Sequence, residues 1–449
     1  MAAVAVGCAL AALAVAVSST AVARRPTAPA RAVFDASHLP PLLRLPGERV
    51  DLSYEAHCAR EGVEDPEAGC DVRGIVYLRT DPHAPFRTLP LEPTSQNGLR
   101  VLTATVPADV VGSRGFEYYA ELEANGASDR IVVPAGGADA PHRSLRLGDP
   151  SVVDLGTHPF GSASPGTPIV SAPWGDGPAS VGLESGRNLP AIGASAFDVG
   201  REGAITLLDE AHRRALRWQP DGAGPTRMPL TIDGRLADLS IGDDGSLYVL
   251  ESVAAPGHTP VLRNFDPAGR ELGATETADG VASQVRIGPR GPVVLQHPSH
   301  QWMPVVGEGA PSSPRDQRRA ARNGRPLRSG AEVVVLRREH DLLAALVSSR
   351  GVERSWRVTT RTPIAEVQLA EPLDRRFVVV ARVYSDSASE FVVLVFDRHG
   401  TTTRFSTPTD EWAEAAPLSR FRLAGNRLYR LGSNANGAFV ARYDLGDSQ

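Results

Sequence analysis

The chain has 449 residues, of which 42% are hydrophobic and 22% charged, with a formal net charge of −5 and a sequence pI of about 6.2. This length favours two domains plus a leader, and the weakly acidic balance gives no electrostatic reason to expect a nucleic-acid partner. The sequence contains no lysine, which excludes Schiff-base chemistry and a P-loop lysine, while 43 Gly and 37 Pro favour an all-β protein with many turns.

The first 23 residues have the pattern of a secretory signal peptide. Small apolar residues run from residue 2 to Ala21-Val22-Ala23, which fits an A-x-A cleavage site before Arg24. No basic residue precedes the apolar run, so the alternative is that this segment is not cleaved and serves as a membrane anchor. In either case we expect an exported protein, secreted or attached to the cell envelope, with membrane contact only through an uncleaved leader.

Residues 24–47 are rich in Pro and Ala and predict an extended tether. A small β-sandwich is expected over residues 48–148, because short alternating segments are separated there by turn residues. The candidate strands are Val50–His57, Val72–Arg79, Arg87–Leu91, Leu99–Val106, Phe116–Glu123 and Ile131–Val133. The late aromatic strand Gly115-Phe116-Glu117-Tyr118-Tyr119-Ala120 resembles that of immunoglobulin and fibronectin type III modules.

Cys58 and Cys70 are the two cysteines that follow the leader. In an exported protein such a pair predicts a disulfide, which stabilises by about 3 kcal/mol for a short loop. A metal or redox site is the alternative, but no C-x-x-C or Cys/His cluster accompanies the pair.

Residues 149–449 show a repeated pattern typical of a β-propeller. One unit spans Ala237–Gly269: an alternating strand precedes the Asp244-Gly245 turn, and two further strands and a second turn follow. The second strand of each unit is centred on Ile205, Leu247, Val293, Val335, Val378 and Leu428, and glycine turns follow the third strands at 222, 269, 309, 351, 400 and 446. The strand centres and the glycine turns recur with similar spacing over this length, which indicates a radial repeat.

The ring resembles the NHL-type six-bladed propellers, in which a D-x-x-G turn precedes a short apolar strand and an arginine opens the next. The matching runs are ASAFDVGREGAITLLDEAHRRALRWQPDG from Ala194 and the unit from Ala237. The chain is also similar to a family of exported proteins from high-GC bacteria. The resemblance implies six blades and assigns no activity.

Closure of the ring and the blade count rest on two segments. The last unit ends at its third strand, so we expect its fourth from the segment near Pro168–Ser171. Residues 310–330, where one blade should end and the next begin, are polar and arginine-rich, so five blades with an insertion is the alternative. We interpret Pro314–Arg325 as a solvated loop; binding of a polyanion is the other interpretation.

Histidines concentrate in the loops between second and third strands, which in a propeller all emerge on one face. Two histidines and an aromatic share the run Gln296-His297-Pro298-Ser299-His300-Gln301-Trp302, a combination suited to sugars or aromatic ligands. A buried third strand starting at Trp302 is the alternative. The candidate ligand-binding residues are His212, His258, His297, His300, Trp302 and His340.

Three functions remain open from the sequence. We favour an exported binding or scaffold protein, monomeric and without a cofactor, that recognises a protein or carbohydrate ligand on the propeller rim. The alternatives are a metal-dependent propeller enzyme of the lactonase or lyase type, holding a divalent metal with rim histidines and carboxylates, and a cell-wall carbohydrate-binding protein. No H-E-x-x-H, G-x-S-x-G or G-x-G-x-x-G sequence assigns catalytic residues.

Overall fold

A computed structural model describes residues 32–60, 71–96, 99–125, 130–186, 189–222, 224–232, 235–253, 259–278, 281–297, 299–305, 313–397, 399–409, 413 and 419–446. Regular structure in these ranges is almost entirely β-strand, which confirms the all-β prediction. None of the helices in this part of the chain has the length and apolarity needed to span a membrane.

The N-terminal module contains two sheets that share one hydrophobic core. Its elements in chain order are β1 (Ala32–Ser37), β2 (Leu43–Arg44), β3 (Asp51–Arg60), β4 (Val72–Arg79), β5 (Arg87–Pro90), β6 (Glu92–Gln96), β7 (Leu99–Thr105), α1 (Ala108–Val111), β8 (Gly115–Ala124), β9 (Arg130–Val133) and β10 (His142–Arg146). The strand orders are β1-β3-β7-β6 and β2-β10-β8-β4-β5, with β9 beside β8. Tyr54, Leu102 and Tyr118 are completely buried in the core. Apolar side chains at alternate positions of β8 point into this core, as period-2 patterning requires.

The described part of the predicted tether differs from the expectation. From Ala32 onward this segment pairs with the module: β1 lies antiparallel to β3, and β2 lies parallel to β10. Leu42 and Leu43 are buried in a hydrophobic cluster, which stabilises a segment that Pro and Ala content alone indicated as extended.

The remaining strands form six larger sheets and one hairpin within the described residues. Before them in the chain come β11 (Ser151–Asp154), β12 (Thr167–Pro173) and the hairpin β13 (Glu184–Gly186) and β14 (Leu189–Ile192). The first sheet contains β15 (Ala196–Val199), β16 (Ile205–Asp209), β17 (Arg214–Trp218) and β18 (Thr226–Pro229). The second contains β19 (Arg235–Ile241), β20 (Leu247–Val253), β21 (Val261–Phe265) and β22 (Glu271–Glu276). The third contains β23 (Val281–Gly288), β24 (Gly291–His297) and β25 (Gln301–Pro304).

The last three sheets follow the short helix α2 (Pro314–Arg319). The fourth contains β26 (Arg325–Pro326), β27 (Glu332–Arg337), β28 (Asp341–Ser348) and β29 (Gly351–Thr359), with β11 parallel to β29. The fifth contains β30 (Ile364–Leu373), β31 (Arg376–Tyr384), β32 (Ser389–Phe396) and β33 (Thr401–Pro408). The sixth contains β34 (Phe421–Ala424), β35 (Arg427–Asn434) and β36 (Gly437–Asp444). Each sequence marker for a second strand falls in the second strand of its sheet.

The six sheets are arranged radially, and the order returns to its start. β15 contacts β19, β19 contacts β23, β23 contacts β26, β27 contacts β30, β30 contacts β34, and β34 contacts β15. The strand expected near Pro168–Ser171 is β12, which lies antiparallel to β36 at the outer edge of the sixth sheet. The sheet arrangement is that of a β-propeller, and a segment from before the first sheet completes the last one.

The N-terminal module lies between the third and fourth sheets. On one side Leu43, Leu145 and Leu147 share a core with Val334 and Leu343 of the fourth sheet. On the other side the Gln301 side chain donates a hydrogen bond to the Ala140 carbonyl at 3.2 Å. The module therefore packs directly against the third and fourth sheets of the ring.

The arginine-rich segment after the third sheet is not the solvated loop that its composition predicts. Ser313 caps α2 by accepting a hydrogen bond from the Asp316 amide, and Arg318 donates to the Ala278 carbonyl at 2.6 Å. Arg319 pairs with Asp139 of the module at 2.9 Å. The backbone of Arg322 pairs with that of Trp302 beside β25. Arg319 thus fastens this segment to the module, and Arg318 fastens it to the chain between the second and third sheets.

We predict that Gly437→Ala destabilises the ring at its closure. A Cβ at Gly437 would collide with the carbonyl group of Ala172 on β12, and the backbone φ of +157° disfavours any L side chain. We expect a loss of about 1–3 kcal/mol in the free energy of unfolding. Gly273→Ala on β22 is the matched control, since nothing lies within 4 Å of its added Cβ. Urea denaturation followed by circular dichroism measures both; equal stabilities would contradict a closure that depends on β12.

Candidate functional site

The predicted rim residues occupy loops or strand ends, but in several different environments. His212, His300 and His340 follow the second strands β16, β24 and β27, as the sequence predicted. His258 lies outside the described residues. His340 is exposed and approaches Glu339 at 3.8 Å. Trp302 belongs to β25 and is 7% exposed, as the alternative of a buried strand supposed.

His212 is held by two carboxylates in the loop between β16 and β17. Its Nδ1 lies 2.7 Å from the fully buried Asp209, and its Nε2 lies 3.0 Å from Asp176. The hydrogen bonds to Asp176 and Asp209 raise the pKa of His212. Arg214 also donates to Asp209 and, at 2.7 Å, to the Ser180 carbonyl. These contacts fix the loop that joins the first sheet to residues 176–182.

His297 and His300 lie near two histidines of the N-terminal module, where the module packs against the third sheet. The rings of His297 and His300 are 5.2 Å apart, and those of His38 and His142 are 5.6 Å apart. His38 is anchored by Tyr118 at 2.8 Å and by the Ser53 carbonyl at 2.7 Å. We call these four residues the histidine junction.

Burial keeps the histidine junction uncharged near neutral pH. Burial, with a smaller effect of His300, lowers the pKa of His38 to about 4, against the hydrogen bond that His38 donates to the Ser53 carbonyl. The pKa of His300 is lowered to about 4 by burial and by His297, and the pKa of His142 is held well below its usual range by burial and by His38. Neutral imidazoles can pack together and form hydrogen bonds. Protonation of two of these rings would place two positive charges close together, and these would repel each other.

Two of the predicted ligand-binding residues, His300 and Trp302, border a cavity at the centre of the ring. Its volume is about 1050 Å³, and the inner strands of the sheets line it together with Leu39 and Pro40 of the module. Tyr429 adds a further aromatic side chain. We call this space the central cavity.

Beside the central cavity lies a buried cluster of two aspartates and two arginines. Asp238, with no exposed surface, accepts hydrogen bonds from the Val285 amide and from Arg286, both at 2.8 Å. Arg422 spans Asp198 at 3.2 Å and Asp238 at 3.3 Å, and it donates to the Leu239 carbonyl at 2.8 Å. Burial and the neighbouring Arg422 lower the pKa of Arg286 to about 10. The cluster ties the inner strands of the first, second, third and sixth sheets around the cavity.

The sequence did not predict this cluster, because the alternating strand before the Asp244-Gly245 turn implies a polar face exposed to solvent at Asp238 and Ser240. In fact Asp238 is fully buried and Ser240 is 4% exposed. The recurrence of an aspartate in the inner strand of two successive units, Asp198 and Asp238, is the signal that could have found it.

The described residues contain no group of three or more His, Cys, Asp or Glu side chains that could hold a metal ion. Cys58 is disulfide-bonded. Cys70 lies outside the described residues, so the pairing of these two cysteines stays a prediction.

Comparison with known proteins identifies no family. No family model matches the chain, and no curated protein matches it. Among solved structures, virginiamycin B lyase from Staphylococcus aureus is similar with 9% identity and a TM-score of 0.34, over 56% of this chain and 94% of that one. A luciferin-regenerating enzyme has 8% identity and a TM-score of 0.34 over 56% and 92% of the two chains. BBS1N in complex with ARL6DN has 14% identity and a TM-score of 0.31 over 59% and 97%.

We predict that Asp238→Asn strongly destabilises the ring. The substitution removes the carboxylate that pairs with the buried Arg286 and leaves Arg422 with Asp198 alone, which costs about 3–5 kcal/mol in the free energy of unfolding. Asp243→Asn is the control, because Asp243 pairs with Arg201 and Arg328 at the surface, where ion pairs contribute about 0–1 kcal/mol. Chemical denaturation of both variants tests the difference, and equal losses would refute the special role of Asp238.

We also predict that stability falls as the pH is lowered through the range of the histidine junction. The folded pKa values of His38 and His300 lie below the ordinary value of 6.5, so the unfolded chain binds protons first. The contribution of these neutral histidines to the free energy of unfolding is complete above pH 6.5 and is lost progressively down to about pH 4. Denaturation at a series of pH values across this window measures the slope.

His300→Asn is the informative variant for this pH dependence. Asparagine tolerates the backbone φ of +52° at this position but carries no titrating ring. The slope of unfolding free energy against pH should become shallower in His300→Asn than in the wild type. An unaltered slope in His300→Asn would contradict the assignment.

Proposed function

We propose that this protein is a binding protein in which the β-propeller takes a small polar organic ligand into the central cavity. The observation that carries the proposal is that His300 and Trp302, from the loop predicted to bind a ligand, border the same space as residues of a second module. A cavity of about 1050 Å³ is large enough for such a ligand, since small-molecule sites range over roughly 300–1,000 Å³.

The lining combines apolar contact with hydrogen-bonding groups, as ligand sites do. Leu39 and Leu295 offer apolar surface, and Leu39 is 62% exposed although it borders the cavity. Several arginines of the lining are paired with carboxylates: Arg325 with Glu371, Arg328 with Asp243, and Arg422 with Asp198. Paired charges attract a further ion less than free charges do, which favours a polar, uncharged ligand such as a sugar or a polar aromatic compound. This keeps the ligand chemistry that the sequence predicted and moves the proposed site from the propeller rim to the ring's centre.

We propose an exported protein with a signal peptide over residues 1–23 and a ring of six blades, over residues 149–449, that resembles the NHL type. The six radial sheets and the contact between β34 and β15 support that count over five. The module of residues 48–148, extended at its start by β1 and β2, forms the second domain.

A cavity-filling variant tests the proposal. Leu295→Trp should fill part of the central cavity, and Leu272→Trp on the exposed face of β22 is the matched control. A panel of monosaccharides and polar aromatic compounds is screened for an increase in melting temperature of the full chain. A ligand present at 100 times its Kd adds about 2.7 kcal/mol to stability.

The stabilisation should disappear in Leu295→Trp and persist in Leu272→Trp. Binding that survives Leu295→Trp would place the ligand elsewhere. A stoichiometric divalent ion in the purified protein, removed by chelator together with a hydrolase or lyase activity, would favour the enzymatic alternative instead.

A further inference from the structure

A second and larger space separates the N-terminal module from the ring. Its volume is about 2000 Å³, and none of its lining residues also lines the central cavity. One wall comes from β8 and β10 of the module, and the other from the turns that end β28, β30 and β32. Trp356 and the chain at Leu445 and Gly446 complete the lining. We call this space the inter-module cleft.

Four arginines around the inter-module cleft differ from most others in the protein. The guanidinium groups of Arg114, Arg146, Arg350 and Arg375 form no hydrogen bond or ion pair with any residue in the described part of the chain. By contrast, Arg376 in the same lining is 5% exposed and donates to Asn426 and to the Gly446 carbonyl. The four side chains are thus available to a ligand.

The cleft carries an excess of positive charge although the whole chain is negative. Seven arginines and five acidic residues line it, against a net charge of −5 for the protein. Two of the acids are already engaged: Glu117 pairs with Arg79 at 2.7 Å, and Asp397 accepts the amide of His399 at 2.7 Å. Arg146 is also close enough to the buried Arg44 to lower its pKa. Cations gathered in a cleft with protein walls focus the field and attract anions.

The size of the cleft points to an extended ligand. Its volume is about twice the upper end of the roughly 300–1,000 Å³ range of small-molecule sites. The free arginines come from both walls, so one monovalent anion would leave several of them uncompensated. Arginine binds phosphate through two parallel hydrogen bonds and is the residue best suited to it.

We infer that the inter-module cleft binds a flexible chain bearing several phosphate groups, held between Arg114 and Arg146 on the module and Arg350 and Arg375 on the ring. This site is independent of the ligand proposed for the central cavity. The sequence pointed to a polyanion only at Pro314–Arg325, where Arg319 instead pairs with Asp139 of the module and Arg325 with Glu371 of the ring.

The test uses inorganic polyphosphate as the probe and the full-length protein. Isothermal titration calorimetry at several salt concentrations gives the affinity and its salt dependence. The module-wall variant Arg114→Gln/Arg146→Gln and the ring-wall variant Arg350→Gln/Arg375→Gln should each weaken binding at least about tenfold and flatten the salt dependence. The matched control Arg227→Gln/Arg290→Gln removes two exposed arginines outside the cleft and should bind like the wild type.

Several results would overturn the inference. Wild-type affinity in both wall variants, or an equal loss in the control, would show that general charge and not the cleft is responsible. Pyrophosphate binding as tightly as polyphosphate would reduce the site to a small-anion site. Duplex DNA bound as tightly, with the same losses in the wall variants, would make the cleft a nucleic-acid surface. Melting curves establish that each variant is folded, and Leu295→Trp should leave polyphosphate binding intact.

Discussion

The packing of the N-terminal module against the fourth sheet is the contact on which the rest of the structure depends. Leu43 and Leu147 of the module are completely buried against Val334 and Leu343. Burying such a side chain contributes roughly 1.5–3 kcal/mol relative to leaving it exposed, so this core fixes the module in one position. That position defines both cavities, because the module supplies one wall of the inter-module cleft and Leu39 at the edge of the central cavity.

Arginine serves two opposed purposes in this lysine-free chain. Inside the ring, Arg286 and Arg422 join inner strands of different sheets, since a guanidinium group can satisfy two carboxylates and a carbonyl together. Around the inter-module cleft, Arg114 and Arg350 lie near the surface without a carboxylate partner among the described residues. The first use stabilises the propeller, and the second leaves charge available for binding.

The two proposed sites suggest a protein with separate tasks for its two spaces. Several arginines that line the central cavity are paired with carboxylates, which suits a small uncharged ligand, whereas the larger inter-module cleft has arginines without such a partner among the described residues. The histidine junction lies where the module meets the third sheet, and His300 belongs to both the junction and the central cavity.

The sequence by itself determined the strands, their turns and their period, because alternating burial and glycine turns depend on neighbouring residues. The unit from Ala237 became β19, β20 and β21 with the predicted turn at Gly245, and β12 joined the sixth sheet. Only the tertiary structure decided that Asp238 is buried, since its partner Arg422 is far away in the chain. It also decided that His300 lies near His38, 262 residues earlier. Such proximity depends on how distant segments of the chain pack, which leaves no pattern in the local sequence.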